Sequence, residues 1–146
     1  MTTDTKETRI RRMAEADVDG IVALDGRISG KDRAPSWPQK AASHLKTCYR
    51  PLCFVAEDED RIVGFILGDI RGSEYSLPLS GWLDIMGVDI EYQKMGIGQR
   101  LVNAFVDECR RIGVKARTII RDDDEQVRRF LGLIGFQQGR LIDYER

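Results

Sequence analysis

The stretch from Val88 to Leu101, VDIEYQKMGIGQRL, carries the residue types and spacing best suited to chemistry. An apolar run closes at Val88, a loop with Gln93, Gly96 and Gly98 follows, and a helical pattern leaves it. Glycines let successive backbone N–H groups converge with no Cβ in the way. The first turn of the helix adds unpaired N–H groups and the positive end of its dipole. Such a turn is a cradle for an anion, and a diphosphate is its natural guest. Lys94 and Arg100 add positive charge nearby. The segment is not a P-loop, which needs G-x-x-x-x-G-K-[ST]. A dinucleotide fingerprint would need glycine at Leu101 and a βαβ unit at the start of the chain, and both are missing.

The elements that must position this loop are legible from periodicity. Residues Thr8 to Arg12 read as a short first strand, after a polar end from Thr2 to Glu7. Val18, Ile21, Val22 and Leu24 recur at helical spacing. Ile28 to Pro38 reads as a loop, and Trp37 to Tyr49 as a second helix stopped by Pro51. Cys53 to Glu57 and Arg61 to Ile70 form a hairpin pattern around Asp58, Glu59 and Asp60. Trp82 to Val88 is apolar apart from Asp84 and Gly87, as suits a strand covered on both faces. Ile97, Leu101, Ala104, Phe105, Cys109 and Ile112 make one helical stripe, ended by Gly113. Ala116 to Ile120 is a short strand, and Asp122, Asp123 and Asp124 offer caps to a helix from Glu125 to Ile134. Phe136 to Tyr144 reads as one or two last strands. The order βααβββαβαβ predicts one α+β domain over 1–146, around a mixed, largely antiparallel sheet.

Composition narrows the function classes. The chain has 146 residues, 42% hydrophobic and 32% charged, with net charge -1. No global field draws nucleic acid or a membrane surface, so an anionic ligand must be held locally. No apolar run approaches the length of a membrane span, and the first residues hold no signal-peptide core. Cys48, Cys53 and Cys109 are odd in number and lack metal-ligand spacing, and His44 is the one histidine. This pattern predicts a reducing, cytoplasmic setting and no metal site.

Gln93-Lys94-Met95-Gly96-Ile97-Gly98 resembles the [RQ]-x-x-G-x-[GA] signature of the GNAT acetyltransferase superfamily. Phe130 to Phe136 resembles that family's second landmark, a helix running into Gly-Phe (Gly135-Phe136). Arg9 to Leu24 resembles its first strand and helix, so the frame covers nearly the whole chain. The resemblance implies an acetyl-CoA cosubstrate, with no metal, and an amine acceptor on a small molecule or a protein. It implies that Trp82 to Val88 splays from Ala116 to Ile120. Pantetheine would then pair near Val88 and Asp89, with the diphosphate on backbone N–H groups from Gln93 to Gly98. Relatives often dimerise, so a homodimer belongs to the expectation.

The implied reaction is direct attack of a neutral amine on the thioester, which calls for a base and an acid. Asp84 is the candidate base, because a carboxylate in an apolar strand must be paired, protonated or useful. A partner arginine or plain solvation is the other reading of Asp84. Relatives often place a tyrosine acid four residues before the Gly of Gly-Phe, where this chain has Leu131. Tyr144 is the remaining C-terminal tyrosine and the candidate acid, with solvent as the alternative proton source. Glu74 and Tyr75 sit on a loop that could line an acceptor site. Asp124 reads as a helix cap, and Arg128 and Arg129 as solvated charges. The absent hydroxyl at Leu131 keeps a rival open: a non-catalytic module that binds CoA and transfers nothing.

Overall fold

Alternation in the middle of the chain decides the sheet. Val55, Phe65 and Leu67 pack to one side, and Phe54, Ala56 and Ile66 to the other. The computed structural model describes residues 8–30, 37–43, 52–72 and 74–146. Its elements are β1 (Arg9–Arg12), α1 (Val18–Ser29), α2 (Trp37–Ser43), β2 (Phe54–Asp58), β3 (Arg61–Arg71), β4 (Ser80–Val88), α3 (Ile97–Ile112), β5 (Lys115–Thr118) and α4 (Glu125–Leu133). The strands lie in sequence order, β1-β2-β3-β4-β5. Neighbours are antiparallel except β4 and β5, which run parallel and are joined through α3.

Each face of the sheet has its own apolar layer. Ile21, Leu24, Trp37 and Ala41 of α1 and α2 cover Val55, Phe65 and Leu67. On the other face Ile97, Leu101, Phe105 and Cys109 of α3 cover Phe54, Ala56, Ile66 and Leu83. Helix α3 seats closely because β3 has glycine beneath it. A Cβ on Gly68 would lie 2.6 Å from Phe105 Cε1 and 2.8 Å from the Trp82 carbonyl oxygen. The same place holds a β-bulge: Leu67 faces Ile85 while Gly68 faces Leu83, leaving Asp84 as the extra residue of β4. The bulge flips the alternation, so Leu83 joins the α3 layer and Ile85 the α1 layer.

Two ion clusters lock β1 to its neighbours. Arg11 forks onto Asp17 at 2.8 Å through each nitrogen and also reaches Glu57 at 3.0 Å. That guanidinium holds the Asp17 carboxyl below the usual carboxylate range. Glu108, buried on α3, accepts from Arg12 and Arg111 at 2.7 Å each. Burial alone would push the Glu108 carboxyl up, and Arg111 and Arg12 together hold it below its ordinary value. Burial and the neighbouring Glu108 push the Cys109 thiol up to about 11, which makes it a core residue rather than a nucleophile.

Two expectations change, and a third is tested only in part. The second helix is described over Trp37–Ser43, and its remainder, with His44 and Cys48, lies outside the described residues, as does Thr2 to Glu7. The strand expected over Ala116 to Ile120 starts at Lys115 and ends at Thr118. The last strands expected over Phe136 to Tyr144 do not form, and no strand follows α4 among the described residues. A strand needs a partner, and this tail pairs with no strand among the described residues.

Candidate active site

The site begins where β4 loses one neighbour. On one side β4 pairs with β3 as far as Val88. On the other its ladder with β5 stops at Leu83 opposite Thr118, where Thr118 Oγ1 donates to the Leu83 carbonyl at 3.0 Å. Beyond that point, from Asp84 to Val88, one backbone edge meets no strand among the described residues. Burial changes at the same place. Ser80 to Leu83 are buried, while the apolar Ile85, Met86 and Val88 are only half-buried. The ladder ends with β5 itself, and the rest of β4 is left with a flank that no described strand pairs.

That flank leads into the glycine loop. Gly96 caps α3 at φ 78°, in the left-handed region that glycine enters without a Cβ clash. The Arg100 N–H donates to the Gly96 carbonyl at 3.0 Å, which starts the helical ladder. The N–H groups of Ile97, Gly98 and Gln99 precede that first rung and have no intrahelical acceptor. A Cβ on Gly96 would meet nothing within 4 Å, so the loop surface is open there. A Cβ on Gly98 would stand 3.7 Å from Met86, 3.8 Å from Val88 and 3.9 Å from Phe130. Gly98 thus faces a gap between β4 and α4 that admits a methyl group but little more. Ile97 is buried and anchors the turn, whereas Gln93, Lys94 and Met95 are exposed around it.

The other residues singled out in the sequence fall in varied places. Arg100 lies beside the cradle, but its two terminal nitrogens donate to Thr8 Oγ1 and to the Thr8 carbonyl, both at 2.9 Å. It ties α3 to the start of β1. Gln93 Nε2 donates to the Val88 carbonyl at 3.2 Å, bracing the loop against the strand end. Asp89 is a buried cap: its carboxylate accepts from the Glu91 N–H at 3.0 Å and from Arg61 at 3.1 Å. Burial would push Asp89 up, but the Glu91 N–H and the Arg61 guanidinium hold it below the carboxylate range. Asp124 caps α4 through the Val127 N–H at 3.1 Å. Leu131 is half-buried on α4.

Asp84, the extra residue of the bulge, meets an arginine. Arg71 donates to its two oxygens at 2.8 and 3.0 Å in a bidentate fork. The same guanidinium stands over the Trp82 ring at 5.6 Å and 3.8 Å from Asp69. Tyr75 adds a tilted ring 6.3 Å from Trp82. Aromatic faces and two carboxylates therefore share one ledge at the β3–β4 end of the opening. Arg71 was not singled out in the sequence. Its signal lay in strand register: it ends the strand that pairs with the one carrying Asp84, and the bulge brings it within reach. Tyr144 does not join this group. It is 87% exposed on the unpaired tail.

The family model described as "Acetyltransferase (GNAT) family" matches residues 26–136. No curated protein sequence matches the chain. Among solved structures, the aminoglycoside N-acetyltransferase AAC(6')-Iy in complex with CoA is 14% identical with a TM-score of 0.82, covering 100% of this chain and 99% of that one. The aminoglycoside 6'-N-acetyltransferase AAC(6')-Ih from Acinetobacter baumannii is 16% identical with a TM-score of 0.76, covering 95% and 97%. Ard1 from Thermoplasma volcanium is 21% identical with a TM-score of 0.72, covering 91% and 84%. At these identities the structural likeness speaks for the fold.

Proposed function

The chain belongs to the acetyltransferase (GNAT) family and is an acyltransferase of that type, and from this premise we propose that it moves the acetyl group of acetyl-CoA to a primary amine. One observation carries the reading: the edge of β4 that no described strand pairs, from Asp84 to Val88, runs into the open N-terminus of α3. Pantetheine is a chain of amides and fits such an edge as an added strand. The diphosphate fits the N–H groups that precede the first rung of α3 and the open space over Gly96. AAC(6')-Iy, the relative of like fold described with CoA, supports the same cosubstrate here. The buried thiols of Cys53 and Cys109 suit a cytoplasmic setting.

The acceptor enters over the ledge of Tyr75, Trp82, Asp69 and Asp84. A cationic amine is attracted by the exposed Tyr75 ring and by the carboxylates of Asp69 and Asp84 at this ledge. The amine must lose a proton to attack. Holding a lysine-like amine neutral near pH 7.4 costs about 4 kcal/mol, against about 0.5–1 kcal/mol for an α-amine. Attack forms the nitrogen–carbon bond, the carbon–sulfur bond then breaks, and the amine proton passes to a base. Asp84 is the base in this reading. Arg71 aims its carboxylate through the bidentate fork, and the lone pairs outside that fork accept the proton. With Tyr144 far out on the tail, solvent protonates the departing thiolate.

Thiol release measured over a panel of amines tests the assignment. Turnover with at least one amine class is expected. Tight CoA binding with no release from any amine would favour the non-catalytic module that Leu131 suggests. In the active enzyme, Asp84→Asn should lower kcat/KM by about a hundredfold or more for a lysine-like amine. The loss should be smaller for an α-amine, whose proton is cheaper to remove. A variant with unchanged kcat/KM would make Asp84 a structural partner of Arg71.

A further inference from the structure

Asp89 to Gln93 carry the chain from β4 into the glycine loop as one tight helical turn. The Tyr92 N–H donates to the Asp89 carbonyl at 2.8 Å and the Gln93 N–H to the Ile90 carbonyl at 3.3 Å. So short a turn has little hold on its own shape, because its few bonds fix many dihedrals. The loop beyond it is strained as well. Lys94 at φ 68° and Gly96 at φ 78° both lie in the left-handed region, which a lysine enters only at a cost. A residue other than glycine keeps that conformation where its surroundings over-determine it.

The surroundings that do so come from the β2–β3 turn. Asp58 ends β2, Arg61 begins β3, and the two pair across the ladder with Glu59 and Asp60 between them. The Tyr92 hydroxyl donates to the Asp58 carboxylate. The Tyr92 ring is buried in the α3 layer, so this polar tip fixes where the ring sits. Arg61 donates to the Asp89 carboxylate at 3.1 Å, and its guanidinium stands 6.0 Å over the Tyr92 ring. One hairpin turn thus grips both Asp89 and Tyr92, at the two ends of the lead-in. Asp89 has other anchors too: its N–H reaches the Val63 carbonyl at 2.8 Å, and Arg27 of α1 comes within 3.5 Å of its carboxylate. Asp58 and Arg61 lie outside the apolar layer that seats α3.

We infer that Asp58 and Arg61 are positioning residues for the cosubstrate: acting through Tyr92 and Asp89, the β2–β3 turn holds the cradle in the shape that takes a diphosphate. Neither side chain has to touch the ligand. With the Tyr92 hydroxyl or the Arg61 guanidinium gone, the sheet and α3 keep their own packing, but the lead-in relaxes. The turn that aims the first N–H groups of α3 must then be reordered when CoA binds. That ordering is charged to CoA affinity and leaves the acceptor ledge untouched. The inference rests on the reading of this loop as the CoA site.

Tyr92→Phe tests it, because it removes the hydroxyl and keeps the ring. Calorimetric titration should show the Kd for CoA raised about tenfold, the worth of one hydrogen bond to a charged group. With an amine that turns over, the KM for acetyl-CoA should rise in step, while kcat at saturation and the KM for the amine stay within about twofold of the parent. Arg61→Gln should weaken CoA less, since its ion pair is half exposed and Arg27 remains on Asp89. Arg61→Lys, which keeps the charge, should recover part of that loss. Hydrogen exchange on the free protein gives a readout that needs no ligand. The amides of Tyr92, Gln93 and Arg100 should exchange faster in Tyr92→Phe than in the parent, with the Phe105 amide unchanged. Equal exchange at those three amides, CoA affinity like the parent's, or a fall in kcat with the KM for acetyl-CoA unmoved would overturn the brace alone. A parent protein that does not bind CoA would strike the cofactor reading itself, and the brace with it.

Discussion

Gly96→Arg abolishes CoA binding while leaving the protein folded. Gly96 sits at φ 78°, where an L-residue costs roughly 1–2 kcal/mol. Its Cβ direction is open space, so no core atom has to move to admit a side chain. The strain alone should lower Tm by only about 3–8 °C. The consequence for the ligand is far larger. An arginine rooted at the helix cap fills the space in which a diphosphate would lie, and it shifts the turn that aligns the N–H groups of α3. Calorimetric titration of CoA into the variant should show affinity weakened by at least a hundredfold, with far-UV circular dichroism like that of the parent. Unchanged affinity would remove the cradle from the account. Collapse of the circular dichroism would show Gly96 to be needed for the fold itself.

Phe105→Ala is the substitution expected to cost most in stability. Phe105 is fully buried and packs against the Gly68 bulge, where the two strands and the helix come closest. Truncating a buried phenylalanine costs about 3–5 kcal/mol, from lost transfer energy and from the cavity left behind. Against a total stability of about 5–15 kcal/mol, that is a large share. Chemical denaturation should show the midpoint falling with the slope unchanged, and Tm should fall by roughly 10–20 °C. CoA affinity should fall with it, because α3 carries the cradle at its N-terminus and Phe105 is what seats α3 on the sheet. A loss under 1 kcal/mol would mean that α3 is held mainly by its ends, through Arg100 on Thr8 and Glu108 on Arg12.

Periodicity made most of this fold legible, and the reasons are local. The stripe from Ile97 to Ile112 and the alternation around Phe65 each bury one face against the same sheet, so pattern and packing agree. The glycine loop was readable because backbone requirements leave few alternatives to glycine at a left-handed cap. Three things were not readable. The apolar run from Trp82 to Val88 looked covered on both faces, yet its second half is half-exposed. An apolar strand flanking a ligand slot has the same composition as one inside a core. The Arg71–Asp84 fork depends on a bulge, and one extra residue re-aims every side chain beyond it. The tail from Phe136 to Tyr144 has strand-like residues and no strand, because propensity alone does not supply the pairing a strand needs.

The central claim is that α3's first N–H groups and the open flank of β4 hold one ligand between them. The most direct measurement is a crystal structure of the protein grown with CoA. The account predicts diphosphate oxygens within roughly 3 Å of backbone nitrogens in the Met95 to Gln99 turn, with the pantetheine laid along β4 from Asp84 to Val88. CoA bound elsewhere, or a turn whose N–H groups stay filled by protein atoms under saturating CoA, would contradict it.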